Sequence, residues 1–236
     1  MHYLFLDESI RDVGTGRAMV IASWAVEQDR LSRRVTRVVE LLQPGPAPIV
    51  KRINSTLETL DALALVARAT LDKSLFRYGE KDSTDDITDM ARPDAIWSIS
   101  VGFGVASLIA HFTRMGQHID TVDVYFDPKS LKSDHATALE GFFRKDLVEK
   151  AKWFGAQLGL NVLKGLKIRS FQPIEKPRKN DAPTMFQLGT WVSDRLCSKS
   201  DRIREAGGTS RIKVRDISDV VRRTMQQFEG KSFYDN

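Results

Sequence analysis

His2-Tyr3-Leu4-Phe5-Leu6-Asp7-Glu8-Ser9 stands at the beginning of the chain, and the predicted fold is built around it. Its apolar residues have the length and aromatic content of a buried strand, and two adjacent carboxylates follow them directly. Val122-Asp123-Val124-Tyr125-Phe126-Asp127 repeats this design, because it is a second apolar strand candidate that ends in a carboxylate. If the two strands are parallel neighbours, Asp7 and Asp127 meet at the edge where open α/β sheets bind ligands. The alternative is that these acids are solvated strand ends, as most charged residues are exposed.

Alternation and helical periodicity predict the remaining elements. A loop with Gly14 and Gly16 turns the chain into an antiparallel second strand, Ala18–Val26. The other predicted elements are helices over Gln28–Leu42, Ser55–Asp72, Ala95–Met115, residues 133–152, Thr184–Ser198 and Asp216–Phe228, and strands over Ser74–Tyr78 and Leu163–Phe171. The predicted fold class is α/β, a mixed sheet with an antiparallel N-terminal hairpin, flanked by helices. Residues 1–199 are predicted to form this domain, and residues 200–236 a basic helical extension.

Three short motifs give the sequence a resemblance to a known family. They are the Tyr3-Leu4-Phe5-Leu6-Asp7-Glu8-Ser9 start, the strand ending at Asp127 with Ser130 just after it, and Gln187-Leu188 at the start of a late helix. Over roughly residues 2–197 the chain resembles the bacterial and phage family catalogued as domain of unknown function 3800, which implies an RNase H-like fold. Two positions depart from the family pattern: Ile10 stands where the family has Gly, and Thr190 stands where it has an acidic residue.

Composition bounds the class of protein. A chain of 236 residues with 42% hydrophobic content can fill the core of a globular domain, and every apolar run is shorter than the roughly 18–20 residues of a membrane span. Asp7 and Glu8 stand where an export signal would be basic and then apolar, so a cytoplasmic protein without membrane association is expected. The one cysteine, Cys197, has apolar neighbours and is interpreted as a core residue.

The net charge is +5, and its distribution favours a polyanionic partner. From Lys164 to Lys179 the basic residues face a single acid, Glu175. Because a basic surface beside an acidic site suits a phosphate backbone, nucleic acid is the predicted partner. The residues predicted to bind it are Lys167, Lys176, Arg178 and Lys179. A solvated charged surface is the alternative interpretation.

Carboxylates at strand ends suit a two-metal RNase H-like site. Phosphodiester hydrolysis by this route needs oxygen ligands that hold two divalent ions about 3.5–4 Å apart, and Mg²⁺ or Mn²⁺ is the predicted cofactor. Asp7 and Asp127 are the first two predicted ligands. Asp194 is the third, because it lies one turn beyond Thr190 on the same helix face. Glu8 is a further catalytic candidate, but it can join Asp7 only if the strand ends there, since neighbouring strand residues alternate between faces.

Two functions remain open at this point. The first is a metal-dependent nuclease that acts on DNA or RNA by the two-metal mechanism. The second is a catalytically inactive RNase H-like module that binds nucleic acid or protein. Thr190 separates them, because a threonine cannot replace the charge of a carboxylate. In the second case Asp194 is a surface partner of Arg195 or Lys199.

Overall fold

The computed structural model describes residues 1–76, 87–126, 167–174 and 181–227. Its strands are β1 (His2–Val13), β2 (Gly16–Glu27), β3 (Leu63–Asp72), β4 (Thr121–Phe126), β5 (Lys167–Pro173) and β6 (Ile212–Asp216). Its helices are α1 (Gln28–Leu42), α2 (Ile49–Leu60), α3 (Ile87–Arg114), α4 (Met185–Ser198), α5 (Ser200–Glu205) and α6 (Ser218–Gln227), with a 3₁₀ turn at Lys73–Phe76. The predicted helix over residues 133–152 lies outside the described residues.

The described strands form one sheet in the order β5-β4-β1-β2-β3-β6. Strands β1, β2 and β3 pair antiparallel, whereas β4 is parallel to β1 and to β5, and β6 is parallel to β3. The sheet is therefore mixed, and its first two strands are the N-terminal hairpin. The predicted fold class, a mixed α/β sheet with an antiparallel N-terminal hairpin and flanking helices, is confirmed.

Helices cover both faces of the sheet, and each face has its own core. Leu4, Leu6 and Ile21 point to the face that packs against α3 and α6. Phe5 and Trp24, which alternate with them, point to the face covered by α1, α2 and α4. This alternation along β1 and β2 is the expected period of two, with both faces buried.

One predicted helix is wrong, and a strand replaces its second half. The sequence predicts a helix over Ser55–Asp72, but α2 begins earlier, at Ile49, and ends at Leu60. Asp61 follows with φ of 49°, and the chain then enters β3. Residues of β3 such as Leu65 and Val66 are buried on opposite faces, so the strand reads as a continuous apolar run.

Two further segments differ from the sequence predictions. A 3₁₀ turn occupies Lys73–Phe76, where the sequence predicts the beginning of a strand. The C-terminal segment is not purely helical, because it contributes the short strand β6 at the edge of the sheet beside β3. None of the helices in the described ranges has the length and apolarity that a membrane crossing requires.

Candidate functional site

Asp7 lies where the paired part of β1 and β4 ends. The parallel register runs from His2 opposite Val122 to Leu6 opposite Phe126. Asp7 is the next residue of β1 and is only 4% exposed. Asp127, which follows Phe126 in the sequence, lies outside the described residues. The structure thus confirms the neighbouring parallel strands, whereas the position of the Asp127 carboxylate stays a prediction.

Asp7 and Glu8 point to opposite faces of the sheet. Strand β1 does not end at Asp7 but continues to Val13 in unbroken register with β2. Asp7 is paired with Ala22, which lies in the α4-side core, and Glu8 with Ile21, which lies in the α3-side core. The condition under which Glu8 could join Asp7 is therefore not met, because alternation directs the two side chains apart.

Helix α4 begins with a capping box at Thr184, the residue at which the sequence predicts this helix to start. The Thr184 hydroxyl accepts a hydrogen bond from the Gln187 backbone N–H, and the Gln187 side chain accepts one from the Thr184 N–H at 2.7 Å. These bonds fix the direction in which the helix leaves the preceding loop.

Helix α4 then runs beside β1 in the same direction. The ring of Phe186 contacts that of Tyr3 with a centroid distance of 5.5 Å, and Gly189 packs directly on the ring of Phe5. The indole N–H of Trp24 donates to the carbonyl of Gly189 at 2.8 Å. The absence of a side chain at Gly189 lets the helix backbone approach the sheet, so α4 is held close over β1.

The end of α4 reaches the backbone of Asp7 through Cys197. The thiol of Cys197 donates to the carbonyl oxygen of Asp7 at 3.3 Å. Burial raises the pKa of this thiol well above its ordinary value, and the nearby Asp7 carboxylate raises it further. Cys197 is therefore a protonated core residue, as the sequence predicts, and not a nucleophile or a thiolate ligand.

Thr190 and Asp194 lie to one side of the α4 residues that face the sheet. Successive residues turn by about 100° around a helix, so Thr190 is rotated by that angle from Gly189, and Asp194 from Ser193. The Thr190 hydroxyl is buried and donates to the Gln187 carbonyl at 2.9 Å, within its own helix. Asp194 is partly exposed and lines a groove with Leu42, Trp191 and Arg195. In the described part of the chain, no three His, Cys, Asp or Glu side chains are grouped to hold a metal.

Two arginines lie beyond Asp7 on the same face. Arg11 donates to the Cys197 carbonyl at the end of α4 and to Asp201 Oδ2 at 3.1 Å. Arg68 of β3 donates to the other oxygen of Asp201 at 3.0 Å. Two cations thus share one carboxylate beside the candidate site, an arrangement that the sequence does not predict.

Asp123 of β4 is a second buried acid, in addition to Asp7 of β1, and it has structural partners. Asp123 is 1% exposed and faces the α4 side, between Tyr3 and Tyr125. A β-bulge in β5 places both Arg169 and Ser170 opposite it, so the Arg169 Nε–H donates to Oδ1 at 2.9 Å and the Ser170 hydroxyl at 2.8 Å. The sequence signal for this cluster is an acidic residue within an apolar strand, because a buried carboxylate requires a hydrogen-bonding or charged partner.

The same environment acts on the Tyr125 phenol. Burial, and then the Asp123 carboxylate, raise its pKa to about 12. The acid on β4 that is buried in the described structure is thus part of a structural cluster, and Asp127 remains the candidate for the site.

Of the residues predicted to bind nucleic acid, only Lys167 lies within the described residues. It is exposed at the beginning of β5, which is an edge strand of the described sheet. Lys176, Arg178 and Lys179 lie outside the described residues. The basic surface that these four residues were predicted to form stays a prediction.

Comparisons with known proteins identify no family for the chain. No protein-family model matches the chain, and no curated protein matches it. The chain is similar to ribonuclease H2 from Pyrococcus horikoshii OT3, with 13% identity over 98% of this chain and 88% of that one and a TM-score of 0.41. It is also similar to Bst-RNase HIII in complex with Mn²⁺, with 12% identity over 98% of this chain and 63% of that one and a TM-score of 0.37. At TM-scores this low the likenesses support no conclusion about activity, and the fold class rests on the strand order and pairing.

Proposed function

We propose that the chain is a divalent-metal-dependent nuclease that hydrolyses phosphodiester bonds in DNA or RNA, and that it belongs to the family its sequence resembles. The observation that carries this proposal is the parallel register of β1 and β4. The last described pair is Leu6 with Phe126, and in each strand the next residue of the sequence is an aspartate. Ligands of α/β sheets bind at such strand ends.

The donor set around Asp7 fits a hard divalent cation. Asp7 offers carboxylate oxygens, which Mg²⁺ and Mn²⁺ prefer, and the nearest sulfur is a thiol kept protonated by burial. In the proposed site Asp7 and Asp127 would hold a divalent metal, whose chemistry when bound would be activation of the attacking water and neutralisation of charge on the leaving oxygen. Asp194 supplies the third carboxylate in this proposal.

The surroundings of Asp7 provide rigidity for such a site. Its carbonyl is held by Cys197, and the preceding aromatic residue, Phe5, is stacked against Trp24 with a centroid distance of 5.0 Å. A carboxylate on a strand fixed on both sides can keep its position when charge develops on the substrate, which is what metal ligands in catalytic sites require.

An inactive binding module is the second candidate, and one observation favours it. Thr190 stands at the acidic position of the family, and its hydroxyl is satisfied inside α4. Asp194 is rotated away from the sheet-facing side of the helix and is partly exposed. If Asp194 does not reach the metal, two carboxylates remain, and the chain binds its partner without cleaving it.

A cleavage assay on wild type and three variants tests the proposal. The substrates are labelled single- and double-stranded DNA and RNA, with Mg²⁺ or Mn²⁺ added. Asp7→Asn is expected to lower the rate by about 100-fold or more, because several kcal/mol of transition-state stabilisation is lost with a metal ligand. Asp194→Asn should have a similar effect if it is the third ligand. Asp219→Asn, an exposed acid on α6, is the control and should leave the rate unchanged.

The outcomes separate the two candidate functions. Cleavage that survives Asp7→Asn would contradict the nuclease site. Wild-type binding of nucleic acid without cleavage under any of these conditions would favour the inactive module.

A further inference from the structure

A group of basic side chains lies on the α3 face of the sheet, remote from the Asp7 side. It is formed by His111 and Arg114 in the last turn of α3 and by Lys213 and Arg215 on β6. We call these four residues the α3–β6 patch. The α3 residues and the β6 residues of the patch are far apart in the sequence, so they come together only because β6 joins the sheet.

The register of β6 directs both of its basic residues toward α3. Lys213 is paired with Leu65 and Arg215 with Ala67, and both partners point into the α3-side core. Ile212, which alternates with them, points into the opposite core. Helix α3 packs on β2 and β3, since a Cβ at Gly104 would meet Ile21 at 3.2 Å. Helix α3 and the side chains of Lys213 and Arg215 therefore lie on the same face of the sheet.

The basic groups of the patch act on one another electrostatically. Burial lowers the pKa of His111, and Lys213, Arg114 and Arg211 lower it further. Burial also lowers the pKa of the half-buried Arg215, and Arg114 adds to that shift. Among the described residues, no carboxylate contributes to either shift. The side chains are thus close enough to repel one another, and no acid among the causes of these two pKa shifts offsets the repulsion.

Two arginines near the patch have acidic partners, whereas the permanent cations of the patch have none among the residues that the structure describes. Arg211 pairs with Asp61 at 2.9 Å, and Arg222 pairs with Asp219 at 2.7 Å. Within the described part of the chain, Arg114, Lys213 and Arg215 form no ion pair. A cluster of like charges costs stability unless an anion binds to it, so the arrangement points to a ligand.

We propose that the α3–β6 patch is a second nucleic-acid-binding surface that contacts the phosphate backbone away from the cleavage site. Two of its three permanent cations are arginines, whose planar guanidinium groups match phosphate oxygens. Lys213 and Arg215 are two residues apart on a strand, or about 6.6 Å, which is comparable to the distance between neighbouring phosphates of an extended strand. A row of cations at this spacing fits a polymer of phosphates better than a single ion.

An anionic membrane is the other polyanion that such a surface could bind. Among the described residues, Met115 is the large exposed apolar side chain next to the patch, so few side chains there could enter a bilayer. Nucleic acid is therefore the partner that the observations favour, and the membrane is an outcome of the test.

The test removes the three permanent charges together. The variant Arg114→Gln/Lys213→Gln/Arg215→Gln is compared with wild type and with a matched control, Arg33→Gln/Lys51→Gln/Arg202→Gln. The control removes the same net charge from exposed cations on α1, α2 and α5. The patch variant should fold, because neutralisation relieves repulsion, and its unfolding temperature checks this. Binding of labelled single-stranded DNA and RNA is measured by fluorescence anisotropy over a range of salt concentrations, with EDTA present to prevent cleavage.

The patch variant is expected to bind at least about tenfold more weakly at low salt, while the control stays close to wild type. The slope of log K against log salt should fall in magnitude by about 2, because each phosphate that the protein no longer neutralises lowers it by about 0.7. Equal slopes and affinities for the patch variant and the control would overturn the inference. So would loss of binding to anionic lipid vesicles without loss of binding to the oligonucleotides.

This inference takes its ligand class from the proposed function, but its failure can be distinguished from a failure of the nuclease proposal. Asp7→Asn should abolish cleavage and leave anisotropy binding intact, whereas the patch variant should weaken binding and leave the rate at saturating substrate unchanged. Normal binding by the patch variant together with an inactive Asp7→Asn contradicts the patch alone. If the wild type never cleaves and the patch variant still binds more weakly than the wild type, the nuclease proposal is contradicted and the patch is not.

Discussion

Gly189 is the residue on which the close docking of α4 over β1 depends. A Cβ at this position would come nearer to the ring carbons of Phe5 than side chains tolerate. The Phe5 ring cannot move away, because it is stacked between Trp24 and Tyr125. Gly189→Ala is expected to lower the free energy of unfolding by about 1–3 kcal/mol, the usual cost of overpacking, although alanine favours helices. Urea denaturation measures the change.

Ser193 provides the matched control for Gly189, one turn further along the same helix face. Its hydroxyl is fully buried and makes no hydrogen bond in the described structure. Ser193→Ala should leave stability unchanged or raise it slightly, because a buried polar group without a partner is removed. An equal loss of stability in the two variants would show that α4 tolerates no change at all, rather than that Gly189 permits close approach.

At the scale of elements, Asp61 joins α1 and α2 to the segment that leads into β6. Its carboxylate accepts hydrogen bonds from Arg30 and Arg211. Burial acts to raise the pKa of Asp61, but these two hydrogen bonds outweigh it and hold the pKa below its ordinary value of 3.8. A depressed pKa in the folded state means that this stabilisation is complete above the unfolded pKa and is lost as pH falls through the folded pKa.

Asp61→Asn therefore has a pH-dependent effect on stability. At neutral pH the variant should be less stable by about 1 kcal/mol, a modest figure because the pair is partly exposed. The difference from wild type should shrink as pH falls below the folded pKa, where Asp61 is itself neutral. Asparagine tolerates the left-handed conformation of this residue, so backbone strain does not contribute. A difference that stays constant between neutral and acidic pH would exclude a charge effect.

Strand β3 shows why part of the fold could not be predicted from the sequence. Its run of Leu63 to Ala67 is buried on both faces, so it shows no alternation, and it lacks the aromatic residues that marked β1 as a strand. Alanine and leucine also favour helices, and the run follows a true helix directly. Only its pairing with β2 and β6 makes it a strand. The helix predicted over Thr184–Ser198, by contrast, has a local helical pattern, and α4 is observed over Met185–Ser198 with Thr184 as its N-cap.

In the candidate site, too, local sequence patterns predicted some features, and contacts between distant segments decided the others. Two apolar runs, each followed by an aspartate, predicted neighbouring strands, and β1 and β4 are neighbours. The opposite orientation of Glu8 depended on whether β1 continued past Asp7, which is decided by its pairing with β2. An acid within an apolar strand is a local indication that Asp123 needs a partner, but the identity of that partner and the α3–β6 patch depend on contacts between distant segments.

At the scale of the whole molecule, the central claim is that one edge of the sheet brings Asp7 and Asp127 together around a divalent metal. Calorimetric titration with Mn²⁺ of wild type, Asp7→Asn, Asp127→Asn and the double variant tests it directly. Each asparagine is nearly isosteric with the aspartate it replaces, and circular dichroism checks that the fold is kept.

If both carboxylates bind the same metal, each single variant should lose at least about tenfold in Mn²⁺ affinity, and the double variant should lose little more than either single one, because the two losses are coupled. Wild-type affinity in either single variant, or losses that simply add in the double variant, would contradict a shared metal site.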